Sequence, residues 1–258
     1  MNTRMMKLCS WSGVAAIVLI AGGFVLAGFV PPPPPGADAA RIGELFREDA
    51  NRIRFGMILG MYGASLLMLY AAVIAIQMRR IEGRNAVLAL AQFGCGAIFV
   101  LEFIYLEFFW VAATFRAERA DDSFLLLNDM AWIPFIGISS TVVIQSLLFG
   151  IVILRDSGAR YFPRWLGYYN IWAALSFTPG TFNMFFKSGP LAWDGVLAFW
   201  FPVLVFVSWL IINPLFLAKS VDRASEAETG TDPTALAAEL GELREKLARL
   251  TTKLGANA

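Results

Sequence analysis

Long hydrophobic stretches alternate with short polar segments along most of this chain. Crossing a hydrocarbon core about 30 Å thick takes about 20 helical residues, so a long stretch with few charges predicts a transmembrane helix. Six stretches qualify, namely residues 8–30, 55–78, 86–115, 130–154, 165–186 and 194–218. Unpaired backbone amides cannot face lipid, and the alternating pattern of barrel strands is absent. The sequence therefore predicts an all-α protein, a bundle of six transmembrane helices.

The composition agrees with burial in lipid. The chain has 258 residues, of which 58% are hydrophobic and 16% charged, whereas soluble domains are about 45–50% apolar and about 25% charged. The net charge of +1 gives no preference for nucleic acid. Histidine is absent, which removes histidine-ligated metal and haem sites and histidine-dependent catalytic pairs. We expect neither a metal nor a cofactor, and Cys9 and Cys95 are interpreted as small buried thiols.

The distribution of charged residues predicts the orientation of the bundle. The segments on one side carry ten cations and three acids, whereas the segments on the other side carry seven cations and nine acids. The more basic set is Arg4, Lys7, Arg79, Arg80, Arg84, Arg155, Arg160, Arg164, Lys219 and Arg223. Cytoplasmic loops are enriched in lysine and arginine. With six spans, both termini are then predicted to be cytoplasmic.

The same patterns divide the chain into five parts. Residues 1–30 form an anchor span, because their apolar run of about 20 residues exceeds the ~7–15 of a signal-peptide core. Residues 31–54 form an outer segment, which starts with five consecutive prolines that favour a stiff spacer. Ile42, Leu45, Phe46 and Ile53 then recur at helical spacing and predict an amphipathic helix. Residues 55–219 hold five spans, residues 220–231 a polar linker, and residues 232–258 a cytoplasmic helix.

This last helix carries a leucine repeat. Asp232 and Pro233 are typical of a helix start, and Gly255 of a helix end. The leucines between them follow the spacing of a heptad seam, at Leu236, Leu240, Leu243, Leu247, Leu250 and Leu254. We expect a coiled coil that makes the protein a homo-oligomer. A helix lying on the membrane surface and a helix that binds a different partner remain alternatives.

Small residues and a helix breaker mark two of the spans. Gly56, Gly60 and Ala64 lie four residues apart in the second span, a spacing that lets helix backbones approach closely. Packing within the bundle is the first interpretation, and a contact between subunits is the alternative. Thr178-Pro179-Gly180 interrupts the fifth span and predicts a kink or break.

Aromatic residues gather near the predicted ends of the spans. They are Trp110, Trp132, Trp165, Tyr168, Tyr169 and Trp193. Such residues favour the boundary between lipid and water, so we expect a belt of aromatic side chains at the two interfaces.

Two carboxylates in the third span are the main candidates for chemistry. Glu102 falls near the bilayer midplane, where a carboxylate must be protonated, paired or hydrated. Its candidate partners on other spans are Asn170, Gln145, Thr178 and Asn183. Glu107 lies about 140° away around the helix, so the two are not predicted to share a face. We expect Glu107 to pair near the interface with Arg116 or Lys187.

Four stretches, residues 77–83, 127–132, 162–168 and 185–190, resemble a group of bacterial polytopic integral membrane proteins. The resemblance implies a multi-pass protein of the bacterial inner (plasma) membrane, with membrane lipids as neighbours. It carries no activity and no functional residue, and it does not reach the leucine repeat.

Two functional hypotheses follow. The first is an intramembrane pocket for a lipophilic ligand, with Glu102, Tyr105, Glu107, Asn183 and Lys187 as candidate binding residues. The second is a non-catalytic structural or accessory subunit, in which buried polar groups hold helices together. A pore along the axis of an oligomer is a weaker third possibility.

Overall fold

The structure, a computed structural model, describes residues 3–229. Within this range the chain is helical, with short loops and turns between the helices. The α-helices are α1 (Thr3–Leu26), α2 (Ala39–Glu48), α3 (Ala50–Glu82), α4 (Val87–Phe115), α5 (Asp121–Gly137), α6 (Ser140–Arg155), α7 (Arg164–Phe177) and α8 (Phe201–Thr229). A 3₁₀ segment, Thr178–Phe185, follows α7, and a π-helical turn, Val196–Trp200, precedes α8.

Five helical segments of the described chain are long and apolar enough to cross a membrane. They are Thr3–Leu26, Ala50–Glu82, Val87–Phe115, Asp121–Arg155 and Val196–Glu226. The predicted all-α, multi-pass architecture is therefore confirmed, with five such segments where the sequence predicts six. The difference lies at residues 165–186, which form α7 and the 3₁₀ segment rather than one long α-helix.

The break predicted in the fifth span is present. α7 ends at Phe177, and the chain continues as a 3₁₀ helix with Pro179 near its start. Proline has no backbone N–H and cannot donate the i to i−4 bond of an α-helix, which explains why the tighter helix begins at this point.

A second break was not predicted from the sequence. Residues 130–154 were expected to form one helix, but α5 ends at Gly137 and α6 begins at Ser140. Pro134 lies inside α5, and its carbonyl accepts the N–H of Ile138 at 2.8 Å to close the last turn. Proline kinks helices because its ring crowds the preceding turn, and here the helix ends within four residues.

The small residues of α3 pack inside the bundle, as the first interpretation proposed. A Cβ atom at Gly56 would overlap the carbonyl oxygen of Gly23 on α1, and one at Gly63 would lie 2.9 Å from the carbonyl oxygen of Ala16. The backbones of α1 and α3 thus touch at two levels. Such close approach is what small residues in membrane helices permit.

Three of the expected belt residues, Trp110, Trp132 and Trp193, are buried in the protein instead. Trp110 and Trp132 have ring centroids 4.9 Å apart, and Phe24 of α1 packs edge-on against both. The belt prediction is therefore wrong for these three, because their side chains turn toward the protein. Trp165 and Tyr168 are about half exposed, as a belt requires.

The outer segment is tied to the bundle. Asp38 caps α2, accepting the N–H of Arg41 at 2.8 Å. The apolar face of α2 packs on α5, where Phe46 and Phe124 stack with centroids 6.1 Å apart. Arg47 then joins α2 to the loop before α5, because its guanidinium binds Asp121 at 2.6 Å and also donates to two loop carbonyls. At the opposite end of the bundle, an ion pair between Lys7 and Asp222 joins α1 to α8.

The predicted leucine helix, residues 232–258, lies outside the described residues. The coiled coil and the oligomer therefore remain predictions. Both cysteines of the described part are free thiols and are partly exposed.

Candidate ligand cavities and the predicted polar residues

A strongly apolar, partly open cavity of about 260 Å³ lies among α1, α4, α5, α6 and α8 and the end of α7. Aromatic side chains of four helices form much of its wall, including Phe24, Phe103, Phe177 and Phe206. Phe103 and Phe206 stack with centroids 6.3 Å apart. Ser139 is the one residue with a polar side chain in the lining, so an occupant would meet almost entirely hydrocarbon.

Three irregular segments meet at this cavity. The break between α5 and α6 contributes Ile138 and Ser139, the 3₁₀ segment contributes Gly180, and the π-helical turn contributes Ala198 and Phe199. Broken helices at membrane depth are tolerated where they are buried in protein or line a cavity. Their convergence on one space identifies this cavity as the leading candidate site in the described part of the chain.

Close packing holds two of these segments together. A Cβ at Gly180 would lie 2.7 Å from the carbonyl oxygen of Ile136, so only glycine fits there. The hydroxyls of Ser139 and Thr181 share a hydrogen bond of 2.7 Å. The wall of the cavity is therefore anchored by both packing and a polar contact.

Glu102 faces α6 and not the predicted partners. Its Oε2 accepts a hydrogen bond of 2.6 Å from the Thr141 hydroxyl, and none of Asn170, Gln145, Thr178 and Asn183 makes a hydrogen bond to it. The expected set of partners is wrong because spacing along a sequence does not give the rotation of one helix against another. The carboxylate is partly exposed.

Glu107 is fully buried on another face of α4. Its carboxyl group lies against Gly60 of α3, and within residues 3–229 neither oxygen has a hydrogen-bond partner. The expected pairing with Arg116 or Lys187 is therefore wrong. Arg116 instead pairs with Glu118 at 3.7 Å. The two carboxylates do lie on different faces of α4, as their spacing indicates.

Tyr105 points away from the bundle. Its side chain is 60% exposed and packs edge-on against Phe109, with centroids 5.3 Å apart. Glu102, Tyr105 and Glu107 line neither the apolar cavity nor the outer cavity described next.

Asn183 and Lys187 are brought together at the outer end. They line a second cavity of about 450 Å³, together with Asp129 of α5 and Trp193. The Asn183 side chain is buried and donates to the carbonyl oxygens of Gly180 and Ile133, at 2.8 and 3.2 Å. Gly180 also lines the apolar cavity, so one turn of the 3₁₀ segment separates the two spaces.

The proline run closes this outer end. The indole N–H of Trp193 donates to the carbonyl oxygen of Pro33 at 2.8 Å, and Pro35, Gly36 and Ala37 complete the wall of the outer cavity. The proline segment, predicted as a spacer, thus also covers the loop that connects the 3₁₀ segment to the π-helical turn.

A buried polar network was missed by reasoning from the sequence. Asn170 of α7 donates to Asn213 Oδ1 of α8 at 2.9 Å and accepts from the Trp209 indole at 2.7 Å. All three are buried. Two asparagines inside apolar stretches were the available signal, because an amide there needs a partner. Asn170 was predicted only as a candidate partner of Glu102, and Asn213 was not identified.

No grouping of three or more cysteines, aspartates and glutamates suited to a metal ion occurs among residues 3–229. No protein-family model matches the chain, and no similar protein was found among curated proteins or solved structures.

Proposed function

We propose that this protein binds the apolar part of a lipophilic molecule in the apolar cavity lined by Phe24, Phe103 and Phe206. The observation that carries the proposal is the convergence of three irregular helical segments on one apolar space. Breaking a membrane helix leaves backbone groups unsatisfied and costs free energy. A cavity wall is one of the few arrangements that use such breaks.

The lining supports a hydrocarbon chain or ring system as the occupant. A charged group would lose its hydration among Phe103, Phe177 and Phe206 with no opposite charge to replace it. Small-molecule pockets usually measure about 300–1,000 Å³, so the cavity suits one chain or a part of a larger lipid. Ser139 offers a single hydroxyl for orientation.

A polar end of the same molecule has a place in the outer cavity. Asn183 lies one 3₁₀ turn beyond Gly180 of the apolar cavity, and Lys187 and Asp129 line the same outer cavity as Asn183. In this arrangement Asn183 and Lys187 keep their proposed binding role. Glu102, Tyr105 and Glu107 act on the packing and surface of α4 instead.

We further propose that the protein spans the membrane six times, with both termini in the cytoplasm of a bacterium. α7 contains 14 residues, and the 3₁₀ segment that follows it contains 8. At about 1.5 and 2.0 Å per residue they extend about 37 Å, enough for a core of about 30 Å. The charge distribution of the sequence supports the orientation.

The leucine repeat of residues 236–254 is proposed to assemble the protein into a homo-oligomer. About three heptads give marginal stability alone, but confinement to a membrane raises the effective concentration of the helices. Membrane lipids and further copies of this chain are then the main partners.

Photolabelling tests the cavity proposal. The purified protein is irradiated with a palmitic acid that carries a diazirine in its chain, and labelled peptides are identified by mass spectrometry. We expect label on α4 and α8 near Phe103 and Phe206. Val203→Phe fills the cavity and should remove this label, whereas Leu204→Phe adds the same ring on the exposed side of α8 and should not.

Two results would overturn the proposal. One is equal labelling of the wild type and the Val203→Phe variant. The other is label spread evenly over the lipid-facing surface, with no preference for the cavity. Both are measured on folded protein, which the elution volume on size exclusion verifies.

A non-catalytic accessory role is the second candidate. The buried network of Asn170, Asn213 and Trp209 favours it, because these groups join α7 to α8 and line no part of the apolar cavity. If the protein is an accessory subunit, we expect photolabelling to show no preference for the cavity and cavity-filling substitutions to have no specific effect. Loss of the polar network should then weaken assembly.

A further inference from the structure

A basic groove lies at the end of the bundle where α3 ends and α4 begins. The groove has a volume of about 380 Å³, and the outer cavity is formed by other elements, namely α5, the 3₁₀ segment and the adjoining loops. Its lining consists of Ala72, Ala75, Ile76, Arg79, Arg84, Ala86, Ala89, Leu90 and Phe93. Two arginines are thus placed at one end of an otherwise apolar channel.

Small side chains create the groove. Ala72 and Ala75 on α3 line the groove with Ala89 on α4 and Ala86 just before it, and alanines fill little of the space between the two helices. Larger apolar residues form the outer rim, where Leu90 is 72% exposed and Ile76 is 44% exposed. The channel therefore opens toward the surroundings of the bundle, which are lipid in a membrane.

The two arginines are exposed and not neutralised. Within residues 3–229, neither Arg79 nor Arg84 forms an ion pair or a hydrogen bond through its guanidinium, although other arginines do. The nearest acid in the turn is Glu82, and its carboxylate is engaged. Its oxygens accept the N–H groups of Leu88 and Ala89, at 3.2 and 2.7 Å, and so cap the start of α4.

We propose that this groove binds an anionic phospholipid. The phosphate lies between Arg79 and Arg84, and one acyl chain lies along the alanines toward Leu90 and Phe93. Guanidinium groups bind phosphate through paired hydrogen bonds. Basic pockets between transmembrane helices that join an apolar groove are typical sites for anionic lipid headgroups. This site is independent of the proposed function, because it shares no lining residue with either of the other cavities.

Native mass spectrometry tests the proposal with two lipids that differ only in the headgroup. Dioleoyl phosphatidylglycerol or dioleoyl phosphatidylcholine is titrated into the full-length protein in detergent, and the bound fraction is measured. We expect phosphatidylglycerol to bind at the lower concentration. The double variant Arg79→Gln/Arg84→Gln should raise its half-saturating concentration about tenfold or more.

A matched control separates the groove from general charge. Arg160→Gln/Arg164→Gln removes two exposed arginines elsewhere in the chain and should leave binding unchanged. Ala75→Leu keeps both arginines but narrows the channel and should also weaken phosphatidylglycerol binding. Because Arg79 and Arg84 are exposed, their substitution removes no buried packing, and folding is checked by size exclusion.

Three results would overturn the assignment. The first is equal affinity for the two lipids, and the second is an equal loss of binding in both double variants. The third is displacement of the bound lipid by glycerol 1-phosphate at the same concentration, which would mean that the arginines bind free phosphate and the groove holds no chain.

Discussion

The carboxyl group of Glu107 on α4 lies against the backbone of Gly60 on α3, so closely that a Cβ atom at position 60 would overlap it. Glu107 is fully buried, and neither oxygen has a hydrogen-bond partner in the part of the chain that the structure describes. The absence of a side chain at Gly60 provides the space for the carboxyl group. This contact therefore fixes the register of α3 against α4.

Gly60→Ala should destabilise the protein. The added methyl group must displace the Glu107 carboxyl, and overpacking of this kind usually costs about 1–3 kcal/mol. The free energy of unfolding in mixed SDS and dodecyl maltoside micelles measures the effect. Gly94→Ala on α4 is the control, because a Cβ there meets nothing within 4 Å. Equal effects at the two positions would contradict the contact.

Arg47→Ala should loosen the outer helix α2. The substitution removes the ion pair with Asp121, two hydrogen bonds to loop carbonyls and the contact of the guanidinium with the Phe124 ring. Because the pair is partly exposed, we expect a loss of about 1–3 kcal/mol. Hydrogen exchange of residues 39–48 should speed up.

The matched control for this prediction is Arg41→Ala. Within residues 3–229 the Arg41 side chain makes only an exposed ion pair with Glu44 on the same helix, and such pairs contribute about 0.5 kcal/mol or less. If both variants exchange at the wild-type rate, Arg47 does not anchor α2.

Asn170→Leu should weaken the joint between α7 and α8. Leucine leaves the Trp209 indole without its acceptor and Asn213 without its donor, and each unsatisfied buried group costs about 1–3 kcal/mol. The apparent melting temperature in detergent should fall. Tyr168→Phe, at an exposed position of the same helix, should leave it unchanged. An unchanged melting temperature for Asn170→Leu would show that the network contributes little.

Much of the fold was predictable from composition and periodicity, because hydrocarbon imposes helices on long apolar stretches. The stretches beginning near Leu8, Phe55 and Ala86 all correspond to long helices. The break at Thr178 was also predictable, since Pro179 and Gly180 act locally through the backbone. Local chemistry of this kind is visible in a single sequence.

Features that depend on helix rotation were not predictable. The sequence indicates that Gly60 allows a close approach, but not that Glu107 is the group that approaches it. In the same way, the pairing of Glu102 with Thr141 depends on how α4 packs against α6. The apolar cavity is lined by residues of six helices, α1, α4, α5, α6, α7 and α8, so no one segment carries its signal.

Removal of residues 232–258 should reduce the size of the protein in detergent. The predicted leucine seam would bury its apolar edge between chains, and its loss leaves the membrane part alone. Light scattering corrected for detergent gives the protein mass of the complex. A polar variant with Leu243→Glu and Leu247→Glu keeps the chain length and should give the same decrease. An unchanged mass in both would exclude assembly through this segment.

The most direct test of lipid binding in the apolar cavity is a cryo-electron microscopy map of the full-length protein in lipid nanodiscs, compared with a map of the Val203→Phe variant. We expect elongated density in the cavity lined by Phe24, Phe103 and Phe206 in the wild type, and none there in the variant. A wild-type map in which side chains close this space, with no density of an occupant, would contradict the proposal.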